Sequence, residues 1–293
     1  MPELPEVETT VRQLRKEILD KKFTSLWVGD KKVIKKPSLA TFKKNFLSKK
    51  IKKIERRGKN ILIFLEDDKI ILIHLKLTGH LLLDKWEKIN NTWKPALNPN
   101  IFLDPVNRFL RIIFFLNDGR GLALSDLRRF AKIEGWLENE FEREKPLSKL
   151  GPEPLEEKFD FEAFKKRIFL AQKRPIKVAL MDQEIIAGIG NIYSDEILWQ
   201  AKVHPLRKVK DLTPKELKKI FLATKDLLSK AIELGGESIS DFRHINGSKG
   251  NFDALRKVYR REGEKCSRCN FKISRLKILQ RSSYFCPNCQ RLK

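Results

Sequence analysis

Apolar continuity is the first thing this 293-residue chain lacks. No uninterrupted apolar stretch approaches the ~18–20 residues that cross a bilayer; short runs such as Ile70–Ile73 suit strands. Acidic residues are scarce beside basic ones, 38 Asp and Glu against 62 Lys and Arg, for a formal net charge of +24. A surplus of that size opposes compaction unless a polyanion neutralises it, so nucleic acid or an acidic membrane surface is the expected partner. Cysteine is scarce too: four residues, all in two C-x-x-C pairs, none left over. The N-terminus, MPELPEVETT, is acidic and has no apolar core of the secretory type. The expectation is a reducing cytoplasm, with metal rather than disulfides at the cysteines. Core formers are not in short supply: 41% hydrophobic residues exclude wholesale disorder, and the length suits about two domains.

Val7, Val11, Leu14 and Ile18 recur near the helical period, with Pro5 and Glu6 in the first turn. Residues 23–83 turn to strand character, with a hairpin from Ile61–Leu65 through Glu66-Asp67-Asp68 to Ile70–Leu77. A second hairpin runs from Phe109–Leu116 through Asn117-Asp118-Gly119 to Gly121–Ser125. Short, apolar strands between polar turns predict a sandwich or barrel. The charged stretch 138–153, with Pro146 and Pro152, reads as a linker. Beyond it the period is helical over Phe161–Ala171, Ile176–Met181, Ile192–Ala201 and Pro214–Leu234, the last ended by Gly235-Gly236. Residues 237–258, with Gly247 and Gly250 and few apolar positions, read as a flexible loop. From 241 to the end there are 14 basic residues against 4 acidic. The organisation expected is α+β: an N-terminal β-sandwich (1–137) led by a helix, the linker, a helical domain (154–258) and a C-terminal hairpin module (259–293).

The spacing Cys266-x2-Cys269-x16-Cys286-x2-Cys289 falls in the window of four-thiolate zinc sites. Four protein ligands leave no open position for water, so one structural zinc is expected, stiffening a basic hairpin that carries Arg281. At the other end, a small second residue permits removal of the initiator methionine, which would make Pro2 the N-terminus. Its secondary amine, part-neutral near pH ~7, could attack an electrophilic carbon and form an iminium. Glu3 and Glu6 stand beside it as general acid/base and orienting carboxylates. A plain helix cap with acidic first-turn residues explains the same residues on chemistry alone.

Taken together, MPELPEVET, HLKLTG (74–79), DLRRF (126–130), GIGNIYSDEIL (188–198) and the cysteine module resemble bacterial formamidopyrimidine-DNA glycosylases, in the family's order and over essentially the whole chain. The resemblance implies a bifunctional DNA glycosylase and AP lyase, monomeric, acting on damaged double-stranded DNA without an organic cofactor. It implies that Pro2 attacks C1′, that Glu3 moves a proton at the sugar, and that Glu6 supports them. Lys59 takes a phosphate and β-elimination role, Arg281 the δ-elimination role. His74, Lys177, Asn191 and Tyr259 match DNA contacts. Leu77, Arg128 and Phe130 match the residues that fill the gap left by an everted base. Ser238–Asn251 matches a loop that closes over the lesion. Departures are Leu77 for methionine, Leu127 for proline, Ala131 for glycine, and Arg108-Phe109-Leu110-Arg111 in place of a Lys-His-Asp-His element. Two other readings stand beside this one: a relative resembling endonuclease VIII, for oxidised pyrimidines, against which Arg128, Phe130 and the long loop argue, and a non-enzymatic zinc-bearing DNA-binding protein, which leaves Pro2, Glu3, Lys59 and Arg281 unexplained.

Overall fold

Helix α1 (Leu4–Ile18) starts at Glu3, whose backbone N–H is accepted by the Glu6 carboxylate in a capping box, with Pro5 in the first turn where its missing N–H costs nothing. Its stripe of Val7, Val11, Leu14 and Ile18 is fully buried. The chain continues through β1 (Phe23–Val28), β2 (Ile34–Lys36), α2 (Leu39–Phe46), β3 (Ile51–Arg57), β4 (Asn60–Leu65), β5 (Lys69–His74), β6 (His80–Asp84), β7 (Trp86–Ile89), β8 (Thr92–Pro95), β9 (Leu110–Leu116), β10 (Gly121–Ser125), β11 (Lys132–Leu137) and α3 (Glu138–Glu144). After these come α4 (Phe161–Ile168), α5 (Ile176–Met181), α6 (Asn191–Ala201), α7 (Pro214–Glu233), β12 (Ser274–Ile278) and β13 (Arg281–Phe285). This computed structural model describes residues 1–239 and 241–292. Ser240, in the segment expected to cap a lesion, lies outside the described residues, as does Lys293.

Two sheets form the sandwich, one ordered β1-β9-β10-β6 and one ordered β2-β11-β5-β4-β3. Alternation decides what faces the space between them: Ile61, Ile63, Leu65, Ile71 and Ile73 from one sheet share a core with Ile112, Phe114, Leu116, Leu122 and Leu124 of the other. The intervening residues Leu82, Ile113 and Ala123 face outward and are covered by Trp86 and Ile101, a second small core. Helix α2, absent from the sequence expectation, stacks Phe42 on Phe46 at 4.7 Å and lays them on β11 at Gly135, where a Cβ would come within 2.6 Å of the Phe46 ring.

Contacts divide the chain into two units, Met1–Pro146 with Leu234–Asp253, and Leu147–Glu233 with Ala254–Lys293. The expected linker thus opens with helix α3, anchored by Phe141 edge-on to Trp136 at 5.8 Å. The segment expected as a flexible loop is tied down by its polar groups. Arg243 pairs with Asp104 at 2.6 Å, the Ile245 carbonyl accepts from Leu83 N–H at 2.7 Å, and Phe242 and Phe252 are buried. Few apolar positions predicted looseness; hydrogen bonds supply the order instead. In the second unit α6 is almost wholly buried, and β12 and β13 form the expected C-terminal hairpin.

Candidate active site

In the first unit, Pro2 is buried at the foot of α1, with Glu3 and Glu6 each 1% exposed. Glu6 is committed on both oxygens: Oε2 accepts from Glu3 N–H at 2.7 Å and Oε1 from Glu237 N–H at 2.9 Å. Gly236 lies against it with φ +79, and a Cβ there would meet Glu6 Oε1 at 2.8 Å, so both conformation and space demand glycine. Glu6 therefore holds backbone in place at the foot of α1. Lys59 follows Gly58 in the tight β3–β4 turn and is 5% exposed. That turn is braced against α1 through Glu8, which accepts from Arg56 Nε at 2.9 Å while Arg56 Nη1 donates to the Gly58 carbonyl. His74 pairs across the sheet with Asn60 and Lys132. Burial, then the positive fields of Lys76, Lys59 and Lys132, pull its imidazole down to about 3, so it is neutral at physiological pH. Its Nδ1 accepts from Lys76 N–H at 3.0 Å, which leaves the proton on Nε2 as a donor.

Two turns carry the expected gap-filling residues. The carboxylate of buried Asp126 joins them: Oδ1 accepts from Thr78 Oγ1 and Oδ2 from Ala131 N–H at 2.8 Å, while Thr78 Oγ1 accepts from Arg128 N–H at 3.0 Å. Leu77 is half-buried; Arg128 and Phe130 are exposed, the guanidinium 4.9 Å from the centre of the Phe130 ring.

In the second unit, Lys177 is buried and donates to Asp195 Oδ1 at 2.6 Å. Asp195 also accepts from Ser283 Oγ at 2.8 Å and Tyr284 N–H at 2.9 Å. The Ser282 carbonyl accepts from Lys177 Nζ at 3.3 Å and from Asn191 Nδ2 at 3.0 Å. Strand β13, and with it Arg281, is therefore held from α5 and α6. Arg281 lines a cavity of about 310 Å³ with Lys177, Val178, Met181, Ile278 and Leu279. Glu196 accepts three backbone N–H groups, from Lys257, Val258 and Tyr259 at 2.8–2.9 Å, which sets the half-buried Tyr259. Glu8, Asp126, Asp195 and Glu196 carry no prediction from sequence, although acids inside apolar surroundings, as in Ile192–Leu198, were a readable signal.

The Sγ atoms of Cys266, Cys269, Cys286 and Cys289 all lie within 4.8 Å of one another, with Cys269 to Cys286 at 3.4 Å. A tetrahedron with 2.3 Å metal–sulfur bonds needs sulfurs about 3.8 Å apart, so the set fits zinc. Trp199 Nε1–H is directed at Cys266 Sγ at 3.4 Å, the outer-shell donor expected of a thiolate ligand.

Family models match in three consecutive parts: the formamidopyrimidine-DNA glycosylase N-terminal domain over residues 1–133, its H2TH domain over 150–243, and the zinc finger found in FPG and IleRS over 263–292. The chain belongs to the formamidopyrimidine-DNA glycosylase family. It is 40% identical to the formamidopyrimidine-DNA glycosylase of Pelotomaculum thermopropionicum, with all of both chains covered. It is also similar to the Lactococcus lactis Fpg in complex with an abasic site containing DNA, at TM-score 0.86, 32% identity and coverage of 99% and 100%. A second structure of that protein, at TM-score 0.85 and the same identity and coverage, holds an oxidized pyrimidine containing DNA. In this glycosylase family member the four cysteines are the site of one structural zinc ion.

Two outcomes follow from this geometry. His74 and the fully buried His80, pulled down to about 4 mainly by burial, sit below the ordinary 6.5. The unfolded chain therefore binds protons that the folded chain refuses. Stability should fall as pH drops from about 6.5 towards 4, by about 1.4 kcal/mol per pH unit for each group. Denaturant melts at pH 7.5 and 5 check this: His80→Gln should show a shallower loss, and an equal loss would contradict it. Asp195→Asn, by removing the carboxylate that faces the buried Lys177 ammonium, should cost about 3–5 kcal/mol and speed zinc release to a chromogenic chelator.

Proposed function

We propose that this chain is a DNA glycosylase and AP lyase of base excision repair that removes oxidised purines from duplex DNA. The observation that carries it is the meeting of Pro2, buried Glu3 and the Glu6 clamp in a chain matched along all three parts of the family. With Met1 removed, the Pro2 nitrogen attacks C1′ of an everted nucleotide. The glycosidic bond breaks, the base leaves with its electron pair and a proton, and Glu3 shuttles the proton at the sugar ring oxygen as the ring opens to an iminium. Loss of the 2′ proton, assisted by Lys59, expels the 3′ phosphate, and a second elimination with Arg281 at the phosphate frees the 5′ side. His74 Nε2–H, Lys177, Asn191 and Tyr259 serve the DNA backbone, and Leu77, Arg128 and Phe130 fill the vacated stack. Ser238–Asn251 covers the lesion, with Arg243 in that segment paired to Asp104. The protein acts as a monomer. No helix among the described residues is long and apolar enough to cross a membrane; the setting we propose is the bacterial cytoplasm, on the nucleoid through DNA binding.

The oxidised-pyrimidine reading keeps a place in the test, because a structure of a relative at 32% identity holds such DNA. Duplexes bearing 8-oxoguanine, formamidopyrimidine or thymine glycol are compared by strand cleavage under single turnover. The purine lesions should react at least about 10-fold faster, about 1.4 kcal/mol of differential transition-state binding; the reverse order would assign the chain to oxidised pyrimidines. Pro2→Gly should form little covalent adduct under borohydride, and no adduct with any lesion from the wild type would leave a DNA-binding protein.

A further inference from the structure

We propose that Arg111 is a positioning residue, which fixes the backbone of the Asp126–Phe130 turn from behind and so places Arg128 and Phe130 for base eversion. The inference rests on the function proposed above. In the β9–β10 ladder Ile112 pairs with Leu124 and Leu110 with Ser125, so Arg111 is the extra residue of a β-bulge. A bulge bends its strand and re-aims the side chain. The Arg111 carbonyl turns to the far side and accepts from Gly29 N–H at 2.9 Å and Asp30 N–H at 3.1 Å. The guanidinium turns towards the residues just after β10: Nε donates to the Asp126 carbonyl at 2.8 Å and Nη2 to the Leu127 carbonyl at 3.5 Å.

The turn is thereby gripped on two sides. Its inner side hangs on the Asp126 carboxylate, through Thr78 and Ala131 N–H. Its outer side exposes Leu127, Arg128 and Phe130 and leans on Arg111. Leu127 has no ring to fix its φ, and Arg129 sits at φ +58, a conformation that L side chains rarely adopt. A turn with these two residues needs an external brace, and a planar guanidinium with two forked donors suits adjacent carbonyls. Because Nε and Nη2 are spent on carbonyls, Arg111 acts through the turn.

The test compares wild type, Arg111→Gln, Arg111→Lys, Arg128→Ala and the Arg111→Gln/Arg128→Ala double variant on an 8-oxoguanine duplex. Eversion is read from 2-aminopurine fluorescence beside the lesion, cleavage by single turnover, and folding by thermal melts. Arg111→Gln should slow eversion about 10-fold, the scale of losing a charge-assisted bond, with Arg111→Lys in between. In the Arg128→Ala background the effect of Arg111→Gln should shrink to the part exerted through Phe130, well short of the product of the two single effects. Multiplying effects in the double variant would overturn the proposal, as would a drop of about one in the salt-dependence slope for Arg111→Gln, which marks a direct phosphate contact. If Arg128→Ala alone everts the base at the wild-type rate, the gap-filling role itself fails. Wild-type eversion by Arg111→Gln with a slow Arg128→Ala defeats only the role of Arg111.

Discussion

Both oxygens of one buried carboxylate, that of Glu6, are bound to backbone N–H groups from opposite ends of the first unit's sequence. That constraint governs the rest. It fixes the peptide at Glu3, and hence the residue before it, relative to the start of α1. It also fixes the backbone at Glu237 against α1. Removing either bond would leave a charge buried without its partner, which is far costlier than an exposed mismatch. Chain termini are the most mobile place in most proteins, and the nucleophile proposed at Pro2 would need such a clamp to hold its position.

The same device recurs. Asp84 accepts the N–H groups of Ala96, Leu97 and Asn98; Asp126 and Glu196 do the same for other turns, and Asp195 holds the backbone of strand β13 at Tyr284. In a chain with net charge +24, the few acids that are buried act as internal fasteners, and much of the basic excess is exposed to solvent. Attraction for a polyanion and rigidity of the groups that act on it are therefore supplied by opposite charges in different places. The zinc module follows the same plan, with metal tying the far end of the hairpin and Asp195 tying its near strand to α6.

Much of this was legible from residues alone. The period of Val7, Val11, Leu14 and Ile18 marks α1, the Asn-Asp-Gly turn marks the β9–β10 hairpin, and the two C-x-x-C pairs mark the metal site. Helix α2 was not, because its short span offers only Leu39, Phe42 and Phe46 as apolar markers, and its partner is a missing side chain at Gly135. The order in 237–253 was invisible because it comes from Arg243, Glu6 and backbone groups distant in sequence. Bulges such as the one at Arg111 depend on cross-strand register, which no local pattern states. Residue chemistry could nominate Pro2 and Glu3, but on chemistry alone a helix cap explains them better, and the catalytic reading leans on the resemblance to the family.

The central claim is that a sugar carbon becomes bonded to the nitrogen of Pro2 after Met1 is lost. Protein reacted with 8-oxoguanine duplex under borohydride can be digested with nuclease and protease, and the modified peptide sequenced by tandem mass spectrometry. The account predicts a deoxyribose remnant on the α-nitrogen of a peptide that begins at Pro2. A remnant on a lysine side chain such as that of Lys59, or an adduct peptide that still carries Met1, would contradict it.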